Sequence, residues 1–212
     1  MRLSVASLAA VRQRERRLAD TMIAAPPARV AAPLRPWYIA AAAAALAAMM
    51  AAILSPSLWV LDFVHVMTGA LWTGIDLFMG FMIGPILRKV GLSVRREIII
   101  RLVPRTLFLM PTLSIITGTT GWFLAKDLGL LDVPWPQFGW VAAALTLVVL
   151  MTIQGTGYLL PTNLWVCIQL RRSDPDLAKI SRVMRNFFFV VGVQGTMQVF
   201  TIVIMARFVT GL

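Results

Sequence analysis

The sequence predicts an all-α membrane protein: a polytopic bundle of five transmembrane helices, N-terminus inside and C-terminus outside. Three observations point there. Of the 212 residues, 59% are hydrophobic and 14% charged, whereas a soluble domain has roughly half apolar and about a quarter charged residues. The apolar residues fall in long blocks divided by short basic segments, the pattern of a chain that crosses a bilayer repeatedly. The basic residues, finally, divide cleanly between two sides. Mean hydropathy, at +0.81, agrees with the block pattern.

The first element is a basic cytoplasmic tail, residues 1–36, followed by the bundle, 37–212. In the tail Leu8, Val11, Leu18 and Met22 recur at helical spacing with arginines between them, as in a helix lying on a membrane surface. An Arg- and Ser-rich start also occurs in organelle transit peptides. Glu15 and Asp20 favour a retained tail, and the basic region is too long for a cleaved signal peptide. The Pro/Ala-rich second half also has the composition of a disordered tail.

Five spans follow, at about 37–54, 58–84, 104–125, 138–168 and 186–209. A span needs about 20 residues to cross a core of about 30 Å, so the first is short and the fourth long enough to tilt or project. The breaks are chemically marked: "SPS" at 55–57 is a tight turn, Pro85 is expected to end the second span, and "DVPWPQ" at 132–137 is a proline-rich loop. Lys and Arg then set the direction. Seven lie in the tail, six between Arg88 and Arg105, and five between Arg171 and Arg185, leaving only Lys126 and Arg207 on the other side. Removing any span would scramble this partition. The arginines flank apolar blocks rather than forming a patch on a soluble domain. The net charge of +11 therefore points to the anionic inner leaflet, not to nucleic acid.

No Gly-rich phosphate loop and no Ser–His–Asp set occurs, and no catalytic residue stands out. A single histidine excludes multi-histidine metal centres within one chain, and a single cysteine, Cys167, excludes an intrachain disulfide. Cys167 lies in an apolar block and reads as a small buried group.

The second span carries the chemistry. In "LWVLDFVHVMTGALWTGIDLFMG", 58–80, the residues Asp62, His65, Gly69, Trp72 and Asp76 are spaced 3, 4, 3 and 4, which puts them on one helix face. Charged groups are expensive in hydrocarbon, so this face is expected to look into the bundle. Gly80 and Gly84 continue it and allow another helix to come close. His65 falls about 12 Å below residue 57 at 1.5 Å per residue, level with the run "TGTTG" at 117–121 on span three. Asp76 falls about 28 Å below residue 57, in a layer with Gln154, Gln194 and Gln198. At that depth a carboxyl group is either protonated or paired with an ion or donor. Asp62 lies near the outer surface, where a solvated position at the helix start suits it. The glutamines, with Thr201, also fit plain interhelical hydrogen bonding.

The stretch "FVHVMTGALWTGIDLFMGFMIGPIL", with a His seven residues before a Trp and then a Gly, resembles the helix signature of the CopD-like integral membrane proteins. That group includes copper-resistance D proteins, and similar helices occur in the membrane domain of haem-type urate hydroxylases and in HemJ-type protoporphyrinogen oxidases. The stretches "RLVPRTLFLMPTLSIITGTTGWFLA" and "YLLPTNLWVCIQLRRSDP" also look alike, so the likeness runs over about residues 58–210. The resemblance implies a bacterial inner-membrane protein with His65 as a ligand of haem b or a contact to copper. Gly69, Trp72 and Thr117 would then shape the cofactor site. HemJ-type proteins pair their histidine with an intramembrane lysine, and spans three to five have none away from their ends. That speaks against oxidase activity. A bis-histidine haem is impossible within one chain, so a five-coordinate haem, a His–Met pair or a site shared between subunits stays open. Three functions stand side by side: a haem-b redox or electron-transfer component, a copper or small-solute transporter, and a structural subunit of a larger membrane complex or homo-oligomer.

Overall fold

The computed structural model describes residue 13, residues 36–170, residue 172 and residues 175–210. The amphipathic stretch expected at Leu8–Met22, the arginines of the tail and Arg171 lie outside the described residues. Among the described residues five helices are long and apolar enough to cross a membrane. They are α1 (Pro36–Leu54), α2 (Leu58–Lys89), α3 (Leu92–Asp127), α4 (Phe138–Gln169) and α5 (Leu177–Val209). Among the described residues there is no strand. The chain is a multi-pass integral membrane protein.

Spans 1, 2 and 4 start where the apolar blocks start, but α2, α3 and α5 run further than their blocks. α3 begins at Leu92 and α5 at Leu177, taking in basic stretches that read as loops. The reason is that hydropathy marks only the part of a helix inside hydrocarbon. A helix of 36 residues is about 54 Å long, well beyond a core of about 30 Å. Arg, Glu and Ile between residues 95 and 101 are adequate helix formers, and the extension carries a Glu97–Arg101 ion pair one turn apart. At the start of α5, Asp176 caps the first turn by accepting from the Lys179 backbone N–H at 2.9 Å.

Pro85 does not end span two: the helix runs on to Lys89. A proline inside an α-helix lacks the N–H and its ring collides with the carbonyl four residues back. In α2 the stretch Phe78–Ile83 is wound as a π-helix, and in α4 so is Gly155–Leu159. Each wide turn stops two residues before a proline, Pro85 or Pro161, and makes room for the ring. The "SPS" turn is as short as expected, with the Ser57 N–H bonded to Ser55 Oγ at 3.2 Å. α3 leaves through Gly129, whose φ of +68° suits only glycine.

The described residues from Pro36 onward pack as one unit. α2 lies between α3 and α5; α1 rests on α3 and the edge of α2, and α4 on α5 and α3. α1 is the outermost, with 11% of its apolar window buried against 44% for α5. The outward faces remain apolar, as lipid requires: Phe63, Val66, Leu71 and Phe81 on α2 are all about half exposed or more.

α2 and α5 approach each other closely at their glycines. A Cβ added to Gly80 would lie 2.4 Å from the Gly192 Cα, and one added to Gly84 would lie 3.0 Å from the Phe188 Cβ. The Gly80–x–x–x–Gly84 pair thus packs within the chain, against α5.

Candidate functional site

The polar stripe of α2 supplies two separate centres. His65 (7% exposed), Trp72 and Asp76 (2%) are buried, and Gly69 is half-buried. Asp62 is exposed and leaves the inward face, one turn before His65. It lies just past the first turn of α2, near the "SPS" end of the helix.

The outer centre is built by α2 and α3. His65 Nδ1–H donates to the Thr117 carbonyl at 3.0 Å, and Thr120 Oγ1 stands 3.4 Å from the same nitrogen. The Thr120 hydroxyl is committed to the Ile116 carbonyl at 2.7 Å and the residue is fully buried. Gly121 makes this contact possible. It sits one turn after Thr117, and a Cβ there would lie 2.7 Å from the imidazole Cε1. Only glycine lets the ring reach a helix carbonyl from that side. Gly69 does the same one turn on, with its missing Cβ 3.3 Å from Thr117 Cγ2, while Thr117 Oγ1 donates to Thr68 Oγ1 at 3.0 Å. A carbonyl can only accept, so Nδ1 carries the proton, and in the neutral ring Nε2 is left as a lone pair. Nε2 has no hydrogen-bond partner among the described residues.

The inner centre joins α2, α4 and α5. Asp76 Oδ2 accepts from Gln198 Nε2 at 3.0 Å and from Gln194 Nε2 at 3.4 Å. Gln154 Nε2 donates to the Val190 carbonyl at 2.9 Å and to Gln194 Oε1 at 3.3 Å, which extends the network to α4. Trp72, one turn before Asp76, stands beside the same carboxyl group. Gln194 and Gln198 are each under 5% exposed, and Gln198 Oε1 has no partner among the described residues. The carboxyl group is therefore held by amide donors, with one buried amide acceptor left open. Thr201, on the same α5 face, bonds back to the Met197 carbonyl instead.

A third polar pair escaped the sequence reading. Asn163 on α4 donates to Thr106 Oγ1 on α3 at 3.1 Å, both residues are buried, and Asn163 Oδ1 has no partner among the described residues. The signal was available: Asn163 is an amide side chain in the otherwise mostly apolar run "YLLPTNLWV". Cys167 is buried in α4. Among the described residues no three His, Cys, Asp or Glu side chains come together in a group able to hold a metal ion.

No protein-family model matches the chain, and neither does any curated protein or solved structure.

Proposed function

We propose that this chain is a haem-b-binding redox or electron-transfer component of a bacterial inner membrane, related to the CopD-like proteins, in which His65 would hold the haem. One observation carries the reading. The only imidazole in the chain has Nδ1–H fixed on the Thr117 carbonyl and Nε2 left without a partner among the described residues. Ligating histidines are held in this way: the second nitrogen donates to a carbonyl or carboxylate, which sets the tautomer and orients the ring. The donor set favours haem over a bare copper ion. A copper ion needs several protein donors, and no group of three His, Cys, Asp or Glu side chains occurs among the described residues. Haem iron has its own ring nitrogens and asks the protein for as little as one. Bound there, haem b supplies a one-electron couple. The chain's part is to present Nε2, to hold the ring through Thr117 and Gly121, and to keep the site in a low-dielectric layer away from water. Absorption spectra of the purified protein in mild detergent, oxidised and reduced, test this beside His65→Ala. A Soret band that vanishes in the variant is expected; a band that survives it, or none in either protein, refutes the reading.

The inner centre favours a second reading, transport of a proton, copper or a small solute along α2, α4 and α5. Its support is the enclosed carboxyl group with an open amide acceptor beside it. Buried ionisable groups of this kind mark ion and proton paths in membrane proteins. Uptake into proteoliposomes that is abolished by Asp76→Asn, with no Soret band, would replace the first reading with this one.

A further inference from the structure

At the end of the bundle opposite the "SPS" turn, α2, α3 and α5 enclose a cavity of about 310 Å³. Its rim is basic: Arg88 at the end of α2, Arg95 at the start of α3 and Arg185 on α5, with Ser181 between. Among the described residues that line it, none is acidic. Its floor is apolar, formed by Leu87, Ile99, Met184 and Phe188, each at most 3% exposed.

Arg95 is fixed in place rather than free in solvent. Its Nη2 donates to the Arg88 and Val90 carbonyls, both at 3.2 Å, and so closes the end of α2. This holds the Arg95 guanidinium at the cavity wall. With the guanidinium groups of Arg88 and Arg185 at the same rim, the concentrated positive charge suits an anion, and guanidinium forks match phosphate geometry.

The surroundings say which anion. The cavity opens where α2 ends and α3 begins, beside the ends of the apolar blocks that stop at residue 84 and start at residue 186. Beside the rim residues in sequence, Ile86 (50% exposed), Leu92 (55%) and Phe189 (65%) offer apolar surface that a soluble anion would not use. Basic pockets between helices on the cytoplasmic side hold anionic headgroups, and the partition of Lys and Arg assigns this end to the inner leaflet. We infer that the cavity is a specific site for the phosphate headgroup of an anionic phospholipid, whose acyl chains run along α2, α3 and α5. The inference is independent of what His65 or Asp76 does.

The full chain, purified in neutral detergent, tests it by native mass spectrometry and thermal melting with added phosphatidylglycerol, phosphatidylcholine or inorganic phosphate. Phosphatidylglycerol is expected to remain bound and to raise the melting midpoint by several degrees, with little effect from phosphatidylcholine or phosphate. Arg95→Gln is expected to weaken the lipid's binding about tenfold or more, the loss of one charge-assisted contact. Arg185→Gln, at an exposed rim position, keeps the test open if Arg95→Gln fails to fold, and should weaken binding in the same direction. Arg207→Gln, near the C-terminal end of α5, should leave it unchanged. Equal retention of both lipids, or phosphatidylglycerol binding indifferent to both rim variants, would overturn the proposal. A phosphate effect as large as that of phosphatidylglycerol would also overturn it, by making the site one for a soluble anion.

Discussion

Gly80→Ala probes the contact on which the inner centre depends. The new methyl group would sit 2.4 Å from the Gly192 Cα and 2.6 Å from its nitrogen, both backbone atoms. Carbon atoms pack at about 3.5 Å or more, so α2 and α5 must separate by about 1 Å. No side chain can swing away to absorb this. Overpacking of this kind typically costs about 1–3 kcal/mol. The separation also stretches the Gln198 bond to Asp76 from 3.0 Å beyond hydrogen-bonding range. It removes the longer Gln194 bond as well, and each interhelical bond in a membrane is worth about 0.6 kcal/mol. A total near 3 kcal/mol is expected. Equilibrium unfolding in mixed micelles, followed by the fluorescence of the seven tryptophans, measures it. Gly74→Ala is the control: its face is exposed and nothing lies within 4 Å of the added carbon. That variant should be neutral or gain up to about 1 kcal/mol from helix propensity. If Gly80→Ala and Gly74→Ala unfold within about 0.5 kcal/mol of each other, a difference too small for overpacking, the packing argument fails.

Gly121→Ala should push the imidazole off the Thr117 carbonyl and, with haem bound, shift or broaden the Soret band; an unchanged spectrum would detach Gly121 from the site. Asp76→Ala leaves two buried amide donors without an acceptor, a loss of about 2–4 kcal/mol. Asp76→Asn can donate to the open Gln198 Oε1 and should fold nearly as well as wild type, so a loss as large as that of Asp76→Ala would show that the carboxylate itself holds the helices. Thr106→Val strips Asn163 of its remaining partner and should cost about 1–3 kcal/mol; adding Asn163→Leu should recover most of that in a double-mutant cycle, and additive losses would count against the pairing.

The spans were legible because lipid leaves few alternatives. A run such as Leu58–Gly80 must be helical once it enters hydrocarbon, since no water is there to satisfy its backbone. The helix ends were less legible. Arg95–Arg105 carries the charge pattern of a loop and holds Pro104, yet α3 runs through it, and the π turns that admit Pro85 and Pro161 have no sequence mark beyond the prolines. The inward face of α2 could be read from its spacing, and so could the layer shared by Asp76 with Gln154, Gln194 and Gln198. Which amide donates to which oxygen depends on the rotation of α5, fixed by the Gly80–Gly192 contact between residues 112 apart in the chain. The basic cavity could not be read at all, because Arg88, Arg95 and Arg185 come together only when three helix ends meet.

The central claim is that Nε2 of His65 is the ligating atom, and the composition of the chain allows a direct test. His65 is the only histidine, so labelling histidine with ¹⁵N marks this ring alone. With haem added, the Nε2 resonance should broaden or shift strongly under the influence of the iron, while Nδ1 keeps the proton it gives to the Thr117 carbonyl. Two unperturbed ring nitrogens in the presence of haem, or a proton found on Nε2, would contradict the account.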